Sequence, residues 1–479
     1  MKNLLKWTGL FILLLILFVI LSPNLLFRVP EPARSGTMSL PGLIDPVTAL
    51  YDEYAVPHIY ADNEHDLFYA AGYIMASERL FQIDLTNRAV QGRLAEMNSE
   101  LVSTDKYLRT LGFHHIGKQM AAIMNPDIKE LIQWGCDGIN AYIDSHLGKL
   151  PLEFKLIGHE PLYWDPSIVC GFDRLMATNL YAGWGPELAI TRLLKIFGEE
   201  ETQDLFPGRP TGFIPPSITS LESLLAQLNP VLESLGGIVG GGMGLQASNN
   251  WVISREKTDS EGPLLANDMH LGYSQPPVWY EMHLVGGRFN VQGLCFPGAL
   301  IVIAGHNEHI AWGFTNLGVD DADLYLEQVN ARDSTTYLYK GAWVPFRVRE
   351  EVIRVKAGTP VAFMIRETVH GVIINDLVDI TQSSDQLIAM RWIGQDITDD
   401  ITPFVKLNLA QDWDDFSAAA REFSTPSQNV VYADQEGNIG WRPFARIPIR
   451  KGAEYLTVLP GASGEYDWQG YVPFEEMPF

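Results

Sequence analysis

A serine that directly follows a glycine-rich stretch is the residue of this sequence best placed to act as a nucleophile. Ser248 begins the apolar run SNNWVIS, and glycine dominates the stretch before it, from Gly236 onward. A serine hydroxyl needs an adjacent base, and a serine that begins a chain can use its own amine, whose pKa is about 8. The glycines give the backbone the freedom that the hydroxyl needs to attack the carbonyl of Ala247. The alternative to self-cleavage between Ala247 and Ser248 is an ordinary linker that ends in a serine, and these residues alone favour the linker.

The common signatures of other chemistries are missing from the sequence. It contains no G-x-S-x-G motif, no phosphate-binding G-x-x-x-x-G-K-[ST] motif and no H-E-x-x-H motif. The tetrapeptide HNEH, with His306 and His309, lies among strand-like residues, so we do not interpret it as a metal site. The run GGGMG has no strand before it and no helix after it, which argues against dinucleotide binding.

Composition indicates a globular protein that does not bind nucleic acid. The chain has 479 residues, of which 47% are hydrophobic, 11% aromatic and 19% charged. This is enough apolar surface for a large core, and the length corresponds to about three ordinary domains, although large sandwiches exceed that size. The net charge of -24 repels phosphate backbones and anionic lipids. The acids could help to hold cations, but most of them form a solvated surface.

The elements around Ser248 divide the chain into a helix-rich first part and a strand-rich second part. Apolar residues recur at helical spacing in 67–97, 127–146 and 187–197. After Ser248 the pattern alternates, as in VWYEMHLV, RFNVQGLCF and QNVVYAD, which predicts strands. We therefore expect four regions, listed in chain order: 1–28 as a membrane or signal segment, 29–215 as the helix-rich portion, 216–247 as a linker, and 248–479 as the strand-rich portion.

The N-terminal segment is typical of a membrane anchor. Lys2 and Lys6 precede the uncharged run from Trp7 to Phe27, and Arg28 closes it. As a helix this run is about 30 Å long, which is enough to cross a membrane. No A-x-A cleavage site follows, so we favour an uncleaved anchor with the body outside the cytoplasm, in the periplasm or on the outer face. The alternative is a signal peptide whose removal would release a secreted protein.

The cysteines are expected to pack in the core. Cys136, Cys170 and Cys295 could form at most one disulfide, and the sequence does not indicate which pair.

Several motifs follow the proposed cut in a fixed order: SNNWVIS (248–254), ANDMHLG (266–272), GHN (305–307), AWGFTN (311–316), RETVHG (366–371) and QNVVYADQEGNIGW (428–441). In this order they closely resemble the penicillin acylase family of N-terminal nucleophile hydrolases. This group includes penicillin amidases, cephalosporin acylases and acyl-homoserine-lactone acylases. Before the cut, VPHIYA (56–61) to NRAVQGRLAE (87–96) resembles the start of the family's α subunit. The resemblance covers nearly everything after the N-terminal segment.

The resemblance implies a catalytic role for five residues. Ser248 matches the nucleophile that becomes the N-terminus of the β chain, with its α-amine as base. His270 matches a position whose backbone assists the nucleophile, and a structural histidine at a strand end is the alternative. Asn316 matches the oxyanion donor that uses its backbone N–H, and Asn429 matches the donor that uses its side chain. Arg450 matches an arginine near that asparagine, with an alignment that could shift by one residue.

The resemblance also implies a structural calcium ion and an acyl pocket. Asp320 and Asp323 match ligands of the β subunit, and Glu187 matches the α-subunit ligand that joins them, while acids of a surface loop are the alternative. Leu271 and Ala304 are expected to line the acyl pocket, and the small Ala304 favours an elongated acyl chain.

The expected fold is therefore α+β, an αββα sandwich made of α and β chains cut from one precursor. The expected reaction is hydrolysis of a linear amide between a hydrophobic or acidic acyl group and an amine. Family β subunits continue beyond the segment that resembles GEYDWQGYVPFEEMPF, so we expect a truncated chain whose sheets are incomplete. The alternative to an active acylase is thus an inactive, membrane-tethered or split fragment, which a separate C-terminal fragment could complete.

Overall fold

The computed structural model describes most of the chain after the N-terminal segment. The described residues are 34–180, 185–209, 211–218, 247–377, 386–452 and 456–479, with a few single positions near the N-terminus and at residue 226. Most of the predicted membrane segment and most of the predicted linker 216–247 lie outside them. Within the described part, no helix is long and apolar enough to cross a membrane.

The helices lie mainly in the first part of the chain. They are α1 (Glu64–Gln91), α2 (Val102–Leu111), α3 (Phe113–Ile123), α4 (Pro126–His146), α5 (Leu152–Ile157), α6 (Pro166–Leu180), α7 (Gly185–Phe197), α8 (Glu199–Leu205), α9 (Ile401–Leu409) and α10 (Trp413–Glu422). The side chain of Asn63 caps α1 by accepting from the backbone N–H of Asp66, and Gly92 ends α1 in the left-handed region. The helical spacing in 67–97, 127–146 and 187–197 therefore predicted α1, α4 and α7 correctly.

Glycines allow helices α1 and α4 to pack backbone against backbone. A Cβ atom on Gly72 would lie 2.0 Å from the carbonyl oxygen of Gly135, and one on Gly138 would lie 1.9 Å from that of Tyr69. A larger residue at either position would push the two helices apart. This close contact fixes the position of α1, and side chains of α1 pack against one face of the first sheet.

The strands form two large sheets and a separate hairpin among the described residues. They are β1 (Thr48–Tyr51), β2 (Pro57–Tyr60), β3 (Ala247–Ile253), β4 (Leu264–His270), β5 (Tyr280–Gly286), β6 (Phe289–Cys295), β7 (Ala304–Asn307), β8 (Ile310–Asn316), β9 (Ala322–Asn330), β10 (Asp333–Tyr339), β11 (Ala342–Pro345), β12 (Arg347–Ile353), β13 (Val361–Thr368), β14 (Gly371–Ile373), β15 (Gln386–Trp392), β16 (Gln428–Asp434), β17 (Ile439–Phe444) and β18 (Leu459–Pro460). The first sheet has the order β1-β2-β5-β6-β7-β8-β16-β17, and the second has the order β11-β10-β9-β15-β14-β13-β12, with β18 beside β9. Strands β3 and β4 pair only with each other.

Helices cover one face of the first sheet, and the β3–β4 hairpin lies on the other. The ring of Phe289 on β6 packs against Phe68 of α1, and Phe314 on β8 packs against Phe404 of α9. Side chains alternate along a strand, so Gly313 faces the opposite side from Phe314, and a Cβ there would lie 2.7 Å from Asn267 of β4. The α+β class is confirmed, and helices, sheet and hairpin follow the order of the expected αββα sandwich.

Both parts of the chain contribute to the first sheet. Strands β1 and β2 come from the helix-rich portion, and β2 pairs in parallel with β5 through His58–His283, Ile59–Leu284 and Tyr60–Val285. The sequence interpretation assigned this portion to helices and missed these two strands.

The second sheet has its own core around a buried histidine. The ring of His370 stacks on Tyr325 with centroids 4.0 Å apart. Its Nδ1 lies 2.8 Å from Glu327 Oε1, and its Nε2 lies 2.9 Å from Asp467 Oδ1. This ring therefore links β9, the turn before β14 and the C-terminal segment.

The cysteines are all buried and free, as the sequence analysis expected of core residues. The strand interpretation of HNEH holds for its first two residues, which end β7, while the last two form the turn before β8. Asn307 Oδ1 closes that turn by accepting from the backbone N–H groups of His309 and Ile310.

Candidate active site

Ser248 lies on the inner face of the hairpin. In the antiparallel pairing of β3 with β4, Ser248 is opposite Met269 and Ala247 is opposite His270. Ser248 and Met269 are half-buried, whereas Ala247 and His270 are exposed. The serine side chain therefore faces the sheet, and Ala247 faces solvent.

Ser248 opens onto an apolar cavity of about 90 Å³. Its wall is mostly apolar and includes Phe172, Met176, Trp279, Phe296, Ile401 and Phe404. Helix α6 supplies the first two of these residues, and α9 supplies the last two. A cavity of this character suits the hydrocarbon part of an acyl group.

One of the two predicted pocket residues lines this cavity. Leu271 follows β4 and forms part of the wall. Just before β7 the wall residue is Ile303, and Ala304 does not line this cavity, so its role in an acyl pocket stays a prediction. Ala304 is buried and pairs with Leu294 of β6, and adjacent side chains at a strand point to opposite sides.

The cavity wall also contains a carboxyl group. Asp173 Oδ2 accepts a hydrogen bond from Arg174 Nη1 at 2.8 Å. Burial raises the pKa of Asp173 to about 7, although Arg174 opposes this shift.

The two predicted oxyanion residues lie side by side, and one of them lines the cavity with Ser248. Asn316 is the last residue of β8 and lines the cavity with Ser248. Asn429 of β16 is opposite Thr315, and its Nδ2 donates to the carbonyl oxygen of Asn316 at 3.3 Å. Ser248 and Asn316 thus share one cavity, and Asn429 is hydrogen-bonded to Asn316, with the three residues on three different strands.

A tryptophan fixes the orientation of the Asn429 amide. Trp441 of β17 donates from Nε1 to Asn429 Oδ1 at 3.1 Å. Because an indole N–H can only donate, the carbonyl side of the amide must face Trp441, and the NH₂ side must face Asn316. Trp441 lies in the motif QNVVYADQEGNIGW, but no role for it follows from the sequence.

The His270 side chain is turned away from the cavity. Its Nε2 lies 2.8 Å from Asp268 Oδ2, and both side chains lie on the exposed face of β4. Any contribution of His270 to the nucleophile would therefore come from its backbone, as the resemblance implies.

Three carboxylates meet at the N-terminal start of β9. One oxygen atom from each of Glu187, Asp320 and Asp323 lies within 4.8 Å of the others. Glu187 comes from α7, and its Oε2 also accepts from the backbone N–H of Leu324 at 2.7 Å. Burial, followed by the charges of Asp323 and Asp320, raises the pKa of Glu187 well above its usual range. This carboxylate set could hold a hard cation.

Arg450 lies at this acidic cluster. Its Nε is 2.7 Å from Asp323 Oδ2, and its Nη2 donates to the carbonyl oxygen of Asp320 at 2.9 Å. The resemblance had placed Arg450 beside Asn429, and that role stays a prediction. The contacts of Arg450 with Asp323 and Asp320 indicate another role, which is to neutralise part of the negative charge of the carboxylates.

A comparison with protein families identifies the chain. The model of a family described as penicillin amidase matches residues 46–479. The chain belongs to the penicillin amidase family.

Members of this family with curated names are similar over most of the chain. It is 30% identical over 459 residues to acyl-homoserine lactone acylase QuiP of Pseudomonas aeruginosa, which covers 92% of this chain and 54% of that protein. It is 32% identical over 465 residues to penicillin acylase 2 proenzyme of Pseudomonas sp. (strain SE83), with 93% and 58% covered. The chain thus spans a little more than half the length of these relatives.

Among solved structures, a thermostable penicillin G acylase from Alcaligenes faecalis is similar with a TM-score of 0.44 and 26% sequence identity. The match covers 48% of this chain and 41% of that one.

Proposed function

We propose that this chain is an amidohydrolase that removes an apolar acyl group from an amine, with Ser248 as nucleophile. The observation that carries this proposal is that Ser248 lines an apolar cavity together with Asn316, whose carbonyl oxygen accepts a hydrogen bond from Asn429. The names of the relatives, acyl-homoserine lactone acylase and penicillin acylase, support amide hydrolysis as the reaction.

The first step is self-cleavage. The Ser248 hydroxyl attacks the Ala247 carbonyl, the peptide bond shifts to an ester on the serine oxygen, and water then hydrolyses that ester. This step frees the Ser248 α-amine as a base. The exposure of Ala247 leaves the departing segment on the solvent side of the hairpin.

The same oxygen then acts on the substrate. The α-amine takes the proton from Oγ, directly or through water, while Oγ attacks the amide carbonyl. The backbone N–H of Asn316 and the Nδ2 of Asn429 stabilise the negative oxygen that forms, and one such donor typically contributes about 3 kcal/mol. The amine product leaves with a proton, and water hydrolyses the acyl ester to a carboxylate.

The acidic cluster is proposed to hold a structural Ca²⁺ ion. Glu187, Asp320 and Asp323 present hard oxygen donors within reach of one ion, and Arg450 adds a positive charge beside the two aspartates. A bound cation would offset the repulsion among the carboxylates and keep Glu187 ionised. Because Glu187 precedes the proposed cut and the two aspartates follow it, the ion would join the two resulting chains.

We further propose that the N-terminal apolar segment anchors the protein outside the cytoplasm. This proposal depends on the uncharged run from Trp7 to Phe27. Protease accessibility in intact cells tests it, since a cytoplasmic body would be protected until the cells are lysed.

Intact mass and an amidase assay test the central proposal. The purified chain should yield a fragment that begins at Ser248, and Ser248→Ala should abolish both this cut and turnover. Ser260→Ala changes an exposed serine in the β3–β4 connection and should do neither. A cut and active Ser248→Ala variant would refute the assigned nucleophile.

A substrate series tests the acyl preference. Phenylacetyl amides and N-acyl homoserine lactones of short and long chain present different lengths to the same cavity. We expect kcat/KM to rise with apolar acyl surface until the cavity is filled, and equal rates for acetyl and longer acyl groups would contradict the assigned cavity.

A further inference from the structure

Asparagine side chains connect the nucleophile hairpin to the first sheet. In the described residues, β3 and β4 share no backbone ladder with that sheet. Asn250 of β3 and Asn267 of β4 are directly opposite each other, and both are half-buried on the same face as Ser248. Their amides lie where the hairpin meets β8 and β16.

Asn267 takes the place of a neighbouring strand at β8. The pairing of β7 with β8 includes Trp312 and Ala311, and β8 continues beyond it to Asn316. There, Asn267 Oδ1 accepts from the backbone N–H of Phe314 at 3.0 Å, and Asn267 Nδ2 donates to the Phe314 carbonyl oxygen at 2.8 Å. A side-chain amide carries the same donor and acceptor as a peptide group, so one asparagine satisfies both.

Asn250 adds a second attachment. Its Nδ2 lies 3.3 Å from the carbonyl oxygen of Asn429 and 3.4 Å from that of Gly313. Gly313 is also what allows the close approach, because a Cβ there would lie 2.7 Å from the Cβ of Asn267. The hairpin therefore contacts both strands that carry the oxyanion residues.

These contacts are two residues away from the reacting groups on both sides. Asn250 is two residues after Ser248, and Phe314 is two residues before Asn316. Backbone N–H groups alternate in direction along an antiparallel strand, and Leu317 donates toward β16 to the carbonyl oxygen of Ser427 at 3.1 Å. The N–H groups of Phe314 and Asn316 therefore point to the side of β8 away from β16, where the Asn267 amide accepts from Phe314.

We propose that Asn267, assisted by Asn250, is a positioning residue that sets the distance from the Ser248 oxygen to the Asn316 N–H. This inference rests on the proposed function. A shift of the hairpin along β8 would move the nucleophile relative to the oxyanion donors, and a displacement of about 1 Å can lower a rate by roughly 100-fold. The asparagine fixes that register through two hydrogen bonds to one residue.

Two substitutions separate this role from general stability. Asn267→Asp keeps the acceptor for the Phe314 N–H but places a carboxylate oxygen against the Phe314 carbonyl, and Asn267→Ala removes both contacts. Asn249→Ala is the matched control, because Asn249 lies on the same hairpin with an exposed side chain. We expect kcat per active site to fall roughly 10- to 100-fold for both Asn267 variants, with KM nearly unchanged and the control at the wild-type value.

Active sites are counted with a covalent serine reagent, so that loss of folded protein does not appear as loss of kcat. Hydrogen exchange of the 310–316 segment gives an independent readout. Asn267→Ala should expose the Phe314 N–H and accelerate its exchange on the order of 10-fold, whereas Asn249→Ala should leave it unchanged.

The outcomes distinguish this inference from the proposed function. Wild-type protein that neither cuts itself nor hydrolyses amides overturns both. An active wild type with unchanged kcat in the Asn267 variants overturns the positioning role alone, whether or not exchange at Phe314 changes. A loss that is confined to the number of active sites, with normal kcat for each, would show a role in stability only and also overturn it.

Discussion

The hydrogen bond from Trp441 to Asn429 provides a sharp test of the proposed oxyanion site. Trp441→Phe retains an aromatic ring on β17 but removes the N–H that donates to Asn429 Oδ1 at 3.1 Å. In the wild type, a flipped amide would set its NH₂ against the indole N–H and its oxygen against the Asn316 carbonyl. Both contacts would be repulsive, so the amide has one orientation.

The size of the effect follows from which contact remains. Without the indole N–H, the bond from Asn429 Nδ2 to the Asn316 carbonyl, at 3.3 Å, still favours the active orientation. One neutral hydrogen bond contributes about 1 kcal/mol, which is about 5-fold in an equilibrium constant at 25 °C. We therefore expect the equilibrium constant for the active orientation to fall about 5-fold in Trp441→Phe, and kcat to fall with the active fraction, by at most about 5-fold. Asn429→Ala removes the donor itself and should cost roughly 100-fold or more.

Steady-state kinetics on an N-acyl amide, with active sites counted by a covalent serine reagent, measure this difference. KM should stay near the wild-type value, because the oxyanion donor acts on the transition state more than on bound substrate. Trp343→Phe on β11 is a matched control, since Trp343 is exposed and belongs to the second sheet.

Two results would refute the reasoning. Wild-type kcat in Trp441→Phe, together with a large loss in Asn429→Ala, would show that the amide keeps its orientation without the indole. Equal losses in both variants, with a lowered melting temperature in Trp441→Phe, would show that Trp441 mainly supports the fold.

Two further predictions concern charge. Burial disfavours the protonated His370 ring, but Glu327 and Asp467 outweigh burial and raise its pKa above the usual value of about 6.5. The stability from this ring is therefore complete below pH about 6.5 and is lost as pH rises through the folded-state pKa; urea unfolding should show this loss in wild type but not in His370→Gln, and equal slopes in the two proteins would argue against it. Ca²⁺ should raise the melting temperature, since a ligand at 100 times its Kd adds about 2.7 kcal/mol, and it should release protons from the raised-pKa Glu187. Glu187→Gln should remove most of the shift and the proton release, and an unchanged calcium response in that variant would exclude the acidic cluster as the site.

Local patterns predicted much of the fold. Helices α1 and α4 are long and have a clear helical period, and β5, β6 and β16 alternate over several residues. Strands β1 and β2 were missed because each has only four residues and their pairing partner β5 lies more than two hundred residues further along the chain. No local pattern can indicate such a pairing.

The candidate site, like the fold, could be predicted from the sequence only in part. Motif resemblance indicated Ser248, Asn316 and Asn429, and in the structure Ser248 and Asn316 line one cavity while Asn429 is hydrogen-bonded to Asn316. The role of Asn267 depends on contact with Phe314, 47 positions away, and on a glycine that leaves room for it. The placement of Arg450 depends on three acids that come together only in the folded chain, so its position in a motif did not determine its neighbours.

The parallel pairing of β2 with β5 affects how the molecule would come apart. Any backbone break between Tyr60 and Tyr280 leaves two polypeptides that share one continuous sheet. Separating them would require breaking main-chain hydrogen bonds in the middle of a folded layer. The two polypeptides of such a nicked protein should stay associated at any dilution that leaves the protein folded. Both should unfold together in a single cooperative transition.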